Sequence, residues 1–136
     1  DRQVVARLAF SNPEKLAALN ALVHPAVEVA SRAWHQQQAK PGLPYTLKEA
    51  ALMIESGSHQ YLDRLIVVTA PEALRIQRVM QRDGLTEEQI RARIRGQLPE
   101  EEKLQRADFV VENDGKHLLI PQVMAIHKAL MALSKQ

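Results

Sequence analysis

Residues 61–84 read Tyr-Leu-Asp-Arg-Leu-Ile-Val-Val-Thr-Ala-Pro-Glu-Ala-Leu-Arg-Ile-Gln-Arg-Val-Met-Gln-Arg-Asp-Gly, a short apolar run that passes directly into an arginine-studded segment. Leu65-Ile66-Val67-Val68 is β-branched and apolar at successive positions, as in a central parallel strand covered on both faces. Thr69-Ala-Pro-Glu72 has the spacing of a capping box and predicts a helix start. At 100° per residue, Arg75, Arg78 and Arg82 fall within roughly 60° of one another, while Ala73, Ile76 and Met80 make the core face. Three guanidiniums on one side repel each other weakly, and an anion between them relieves that repulsion. The competing reading is a solvated helix face on which Asp83 and Glu72 serve as partners.

The apolar fraction of 46% and charged fraction of 25% over 136 residues describe an ordinary globular chain, one domain by size. No apolar run approaches the length of a membrane span. The absence of cysteine excludes a disulfide framework and thiolate metal sites. No signal-peptide pattern opens the sequence, so a cytoplasmic location is the expectation. A net charge of +2 is too mild for a nucleic-acid surface, and five aromatic residues provide no stacking platform for bases. Charge is concentrated locally, since six of the eleven arginines lie between positions 75 and 95.

Upstream, Ser11-Asn-Pro-Glu14 is a second capping-box candidate and predicts a helix over about 13–22. Pro25 interrupts the pattern, and Val27, Ala30, Ala33 and Trp34 predict the inner face of a new helix to about 38, with His24 at the junction. Lys40-Pro-Gly-Leu-Pro44 is a turn, and Tyr45-Thr-Leu47 a short strand. Residues 48–55 read as either strand or helix. Ser56-Gly-Ser-His59 is a loop. Downstream, Thr86 with Gln89 predicts a capped helix over 87–97, supported by the Glu87–Arg91 pair. Phe109–Glu112 is a last strand, Asn113-Asp-Gly115 a turn, and 118–133 a closing helix. Alternating strands and helices indicate an α/β sheet, yet only about three strands are found. No Gly-x-x-x-x-Gly-Lys-Ser/Thr phosphate loop occurs in the 136 residues. His35, His59, His117 and His127 show no metal-ligand spacing with carboxylates, so no metal site is assigned.

The order and spacing of several weak motifs together resemble the C-terminal two-thirds of dephospho-coenzyme A kinases, over nearly the whole chain. They are Ser11-Asn-Pro-Glu14, His24-Pro25, Glu49 with Ala51-Leu-Met-Ile-Glu55, Asp63-Arg-Leu-Ile-Val-Val-Thr69, Arg78, Arg82-Asp-Gly84, Ile94 with Gln97, and Ala107-Asp-Phe-Val-Val-Glu-Asn113-Asp-Gly115. Two departures stand out. The family's PLLFE-type run is Ala-Leu-Met-Ile-Glu here, with Glu49 where Asp is usual. The family's P-loop and the aspartate after it have no counterpart and would precede residue 1.

The resemblance implies a P-loop nucleotide-kinase-like parallel sheet flanked by helices, incomplete at its N-terminal side, with a helical substrate-binding part over about 13–40 and a lid over about 83–106. It implies phosphorylation of the 3′-hydroxyl of dephospho-CoA with ATP and Mg²⁺, and a chain that is inactive alone. Arg82 is then the catalytic residue left in the chain, neutralising phosphoryl charge. Arg78, Arg82, Asn113 and Gly115 contact ATP, Arg93 and Gln97 belong to the lid, and His24, Glu49 and Glu55 bind the acceptor. Arg91 and Arg95 point away and pair with Glu87 and Glu88. The partners are small molecules, not nucleic acid or membrane, and an exposed sheet edge leads to self-association. The alternative is a non-catalytic helical module that docks an acidic partner through the arginine face.

Overall fold

The computed structural model describes residues 4–5 and 12–134, which form two compact units, Asp1–Thr46 and Leu47–Gln136. The first is built on one long helix, α1 (Pro13–Gln38). Asn12 is its N-cap, accepting the amides of Glu14 at 2.9 Å and Lys15 at 3.2 Å. Ser11, the other half of the expected capping box, lies outside the described residues.

The expected break at Pro25 does not occur, and α1 runs through it, so His24 lies inside a helix. Proline forgoes one backbone hydrogen bond, a local cost that the turns on either side outweigh once the helix has nucleated. Within this unit Val27 and Trp34 are about half exposed, so the expected inner face of the second helix is not buried there. Tyr45–Leu47 is not a strand either. A ladder needs a neighbour, and the Thr46 hydroxyl instead lies 2.7 Å from His35 Nδ1.

The second unit follows the order β1 (Ile66–Thr69), α2 (Glu72–Asp83), α3 (Glu87–Arg95), α4 (Glu100–Arg106), β2 (Phe109–Glu112), α5 (Leu119–Leu133). Residues 51–56 form turns, neither strand nor helix, and lead into a 3₁₀ turn at Ser58–Tyr61. The two strands pair in parallel, Ile66 opposite Phe109 and Thr69 opposite Glu112. That arrangement requires a crossover, here made of three helices. α4 packs on β1 and α5 on β2.

The core gathers Met53, Ile54 and Leu65, with Leu62, Val67 and Leu98 against them. Val68 is 63% exposed. The expectation of a strand buried on both faces is therefore corrected, because α4 packs on β1 on the side of Thr69 and the opposite face, which carries Val68, is open. Of the expected core face of α2, Ile76 is buried, whereas Met80 is exposed.

The capping box at Thr69 is also corrected. Thr69 ends β1, the N-cap of α2 is Pro71, and no side chain caps this helix. Thr69 ends the ladder two residues before the N-cap, and its hydroxyl goes to Glu100 instead of to the first-turn amides. Thr86, free of any ladder, does form the full capping box with Gln89. Gly84 closes α2 at φ +67°, a conformation that glycine adopts without the Cβ clash of other residues.

Candidate functional site

Parallel strands end on the same edge, and open α/β sheets place ligands beyond those carboxyl ends. Here the two ends are Thr69 and Glu112, followed by the start of α2 and by the turn Asn113–Gly115. The turn is tied to β1 by the Asn113 amide, which donates to the Thr69 carbonyl at 2.8 Å. From α2, Arg78 Nη1 donates to the Asn113 carbonyl at 2.8 Å. Arg78, far away in sequence, thus meets the Asn113–Gly115 turn at the strand end through Asn113. Gly115 has φ +82°, which lets the chain reverse. Asp114 holds the turn, accepting the amides of Lys116 at 2.8 Å and His117 at 2.9 Å. Those amides, His117 first and then Lys116, keep its carboxyl well below the usual carboxylate range.

Arg82 lies one helical turn beyond Arg78, and its side chain is 74% exposed. It makes a fork to the neighbouring Asp83, at 2.7 Å from Nε and 3.0 Å from Nη2. Hydrogen bonding from Arg82 depresses the Asp83 carboxyl. This pair is what the solvated-face reading expects of Asp83, and it leaves most of the side chain open to solvent.

Arg75 does not share that open side. Its Nη2 donates to one carboxylate oxygen of Glu100 while the Thr69 hydroxyl donates to the other. A cluster of three available guanidiniums is therefore reduced to Arg78 and Arg82, because Glu100 from α4 supplies a fixed counter-charge for the third.

Arg91 forms the expected pair with Glu87, and a second contact reaches α2. It is 2.6 Å from Glu72 and 2.8 Å from Glu87, so one guanidinium joins α2 to α3. Glu72, expected to serve the arginines of its own helix, is thereby used across the hairpin. Arg93 is exposed and close enough to Asp83 to depress its carboxyl slightly. Gln97 lies just past α3 and accepts from Lys103 Nζ at 3.1 Å.

Of the acids expected on the acceptor side, Glu49 is exposed in an irregular stretch. Glu55 accepts the Leu98 amide at 3.2 Å and pairs with Lys103 at 3.0 Å. Burial pushes its carboxyl up, but hydrogen bonds from its own backbone, Lys103 and Leu98 outweigh this and leave it lowered. A depressed folded-state pKa gives stability that is present above the unfolded value and lost as pH falls through the folded one. Glu55→Gln should therefore cost about 1 kcal/mol at pH 7, with the gap to the parent closing below about pH 4. Thermal melts of both proteins across pH 3–7 check this, and a gap constant with pH would contradict it.

Around the same turn, His117 Nδ1 lies 3.1 Å from Glu112 and 3.0 Å from Asp114, and the three donor atoms are all within 4.8 Å of one another. The expectation that no histidine sits in ligand spacing with carboxylates is corrected for His117, because an irregular turn brings positions 112, 114 and 117 together. Magnesium takes oxygen ligands in near-octahedral geometry. An imidazole nitrogen hydrogen-bonded to Asp114 and close to Glu112 does not suit it, and no metal is assigned to this group.

Two contributors escaped sequence reasoning. Glu100 was one of three successive acids, with nothing in its spacing to single it out. Gln122 of α5 caps the end of β2, accepting the Glu112 amide at 2.8 Å and donating to its carbonyl at 3.1 Å.

The family model described as dephospho-CoA kinase matches residues 1–118. A dephospho-CoA kinase of Chlorobaculum tepidum is 41% identical over 134 residues, covering 98% of this chain and 64% of the relative. A crystal structure of a Thermus thermophilus protein superimposes with a TM-score of 0.80 at 40% identity, covering 95% of this chain and 66% of that one. The dephospho-CoA kinase from Campylobacter jejuni matches with a TM-score of 0.62 at 30% identity, over 99% and 66% respectively. The α/β fold, with its parallel strands and flanking helices, is thus of the P-loop kinase type. The chain spans just under two thirds of the length of these relatives.

Proposed function

Since the chain belongs to the dephospho-CoA kinase family, we propose that the protein transfers the γ-phosphoryl group of ATP to the ribose 3′-hydroxyl of dephospho-CoA, yielding CoA. The observation that supports this reading within the chain is the Arg78–Asn113 contact at the carboxyl end of the parallel strands. It gathers a guanidinium, backbone polar groups and a glycine turn where a nucleotide can lie.

Phosphoryl transfer is chiefly positioning and charge neutralisation. Arg78 and the Asn113–Gly115 turn hold the adenine end of ATP. Arg82, with most of its side chain in solvent, swings from Asp83 to the transferring group. Residues 83–106 act as the lid, to which Arg93 and Gln97 belong. His24 on α1 and Glu49 serve the acceptor, and Glu55 anchors the far leg of the lid through Leu98 and Lys103. Mg²⁺ accompanies ATP, and none of the residues above is assigned to hold it.

The test is ADP release by the product of the intact gene. Release should depend on both ATP and dephospho-CoA, and release that ignores dephospho-CoA would contradict the assignment.

A further expectation is that the 136-residue chain self-associates. Leu118 and Ile120 are about three-quarters exposed and Val68 nearly two-thirds, beside a parallel pair with open edges among the described residues. Light scattering across micromolar concentrations should report dimers or larger species. A strictly monomeric profile counts against it.

A further inference from the structure

Glu100 stands at the first position of α4, the last helix of the segment read above as the lid. One of its oxygens takes the Thr69 hydroxyl at the end of β1, and the other takes Arg75 Nη2 from α2. A single carboxylate thereby joins three elements. Its two neighbours in the same helical turn, Glu101 and Glu102, are exposed. Arg75 Nε is shielded from solvent without a partner, so the guanidinium is held by Glu100 and its surroundings rather than swinging freely.

The contacts do not stop at Thr69. Its carbonyl accepts the Asn113 amide, and the Asn113 carbonyl accepts Arg78. A continuous run of hydrogen bonds thus leads from α4 through the strand end to the turn and arginine assigned to ATP. Partly exposed ion pairs contribute little to stability. What this one contributes is geometry, since moving Glu100 alters the support of Thr69 on one side and of Arg75 on the other.

We propose that Glu100 is a positioning residue, coupling the far leg of the lid to the ATP-contacting turn through Thr69. The inference rests on the reading of Asn113 and Arg78 as the ATP end of the site. A spatial run of contacts becomes a coupling only when both ends respond together, so the test is a double-mutant cycle.

In the intact protein, Glu100→Ala and Thr69→Val, which removes the hydroxyl and keeps a β-branched strand residue, are each expected to raise the KM for ATP about tenfold, with a much smaller change for dephospho-CoA. The double variant should be no worse than either single one. Glu100→Gln, which keeps an acceptor for Thr69, should recover part of the loss. Hydrogen exchange of the unaltered protein supplies a second readout that needs no variant to fold, and ATP should protect amides 100–106 together with 113–117.

A folded Glu100→Ala protein with an unchanged KM for ATP overturns the proposal. So do single effects that multiply in the double variant, or ATP protection confined to 113–117. If Arg78→Ala also leaves the KM for ATP unchanged, the reading of the ATP end fails as well. A raised KM in Arg78→Ala beside an unchanged one in Glu100→Ala removes only the coupling.

Discussion

Replacing Arg82 with alanine in the intact protein is expected to lower turnover by roughly two orders of magnitude, the typical loss when one preorganised charge donor is removed from a site of developing negative charge. The fold should tolerate the change, because the side chain is mostly in solvent and its partner is the adjacent Asp83. Arg78→Ala should behave differently. Its guanidinium supports the Asn113 carbonyl at the ATP turn, so the KM for ATP should rise more than turnover falls. Steady-state kinetics with ATP varied, beside a thermal melt of each variant, separates the two roles. If the arginine face is only solvated, or docks an acidic partner, both variants retain parental kinetics within about twofold.

A polypeptide of these 136 residues alone is expected to give no measurable kinase turnover. P-loop enzymes hold the phosphates in a cradle of backbone amides with a lysine, and hold Mg²⁺ through a hydroxyl, and the Gly-x-x-x-x-Gly-Lys-Ser/Thr pattern that supplies these groups does not occur in the sequence. Arginines at the adenine end neutralise charge but cannot fix the β- and γ-phosphates in line with an acceptor. Product formation from ATP and dephospho-CoA should therefore match the protein-free control. Robust turnover by a preparation free of contaminating kinases would contradict this.

Elements set by local chemistry were legible in the sequence. The run Leu65–Val68 supplies three of the four residues of the strand Ile66–Thr69, the Thr86–Gln89 box caps its helix, and Asn113-Asp-Gly115 turns where expected. Long-range partners overrode local signals elsewhere. Thr69 has the spacing of a cap but lies in a ladder with β2, opposite Glu112, and its hydroxyl serves Glu100. Arg75 looks equivalent to Arg78 and Arg82 on a helical wheel, and only the fold shows that Glu100 has claimed it. Pro25 reads as a break because its local cost is visible, whereas the cooperativity of the surrounding helix is not. Glu112, Asp114 and His117 have no regular spacing, and an irregular turn is what brings them together.

The central claim, that this is the nucleotide end of a dephospho-CoA kinase, is tested most directly by label transfer. The product of the intact gene is incubated with ATP carrying a labelled γ-phosphate and with dephospho-CoA, and the labelled product is digested with a 3′-nucleotidase, a phosphatase specific for 3′-phosphomonoesters. The account predicts one labelled phosphate per acceptor, released completely by that digestion and formed at a strongly reduced rate by Arg82→Ala. Label that stays in ATP or inorganic phosphate, or that resists the digestion, would contradict it.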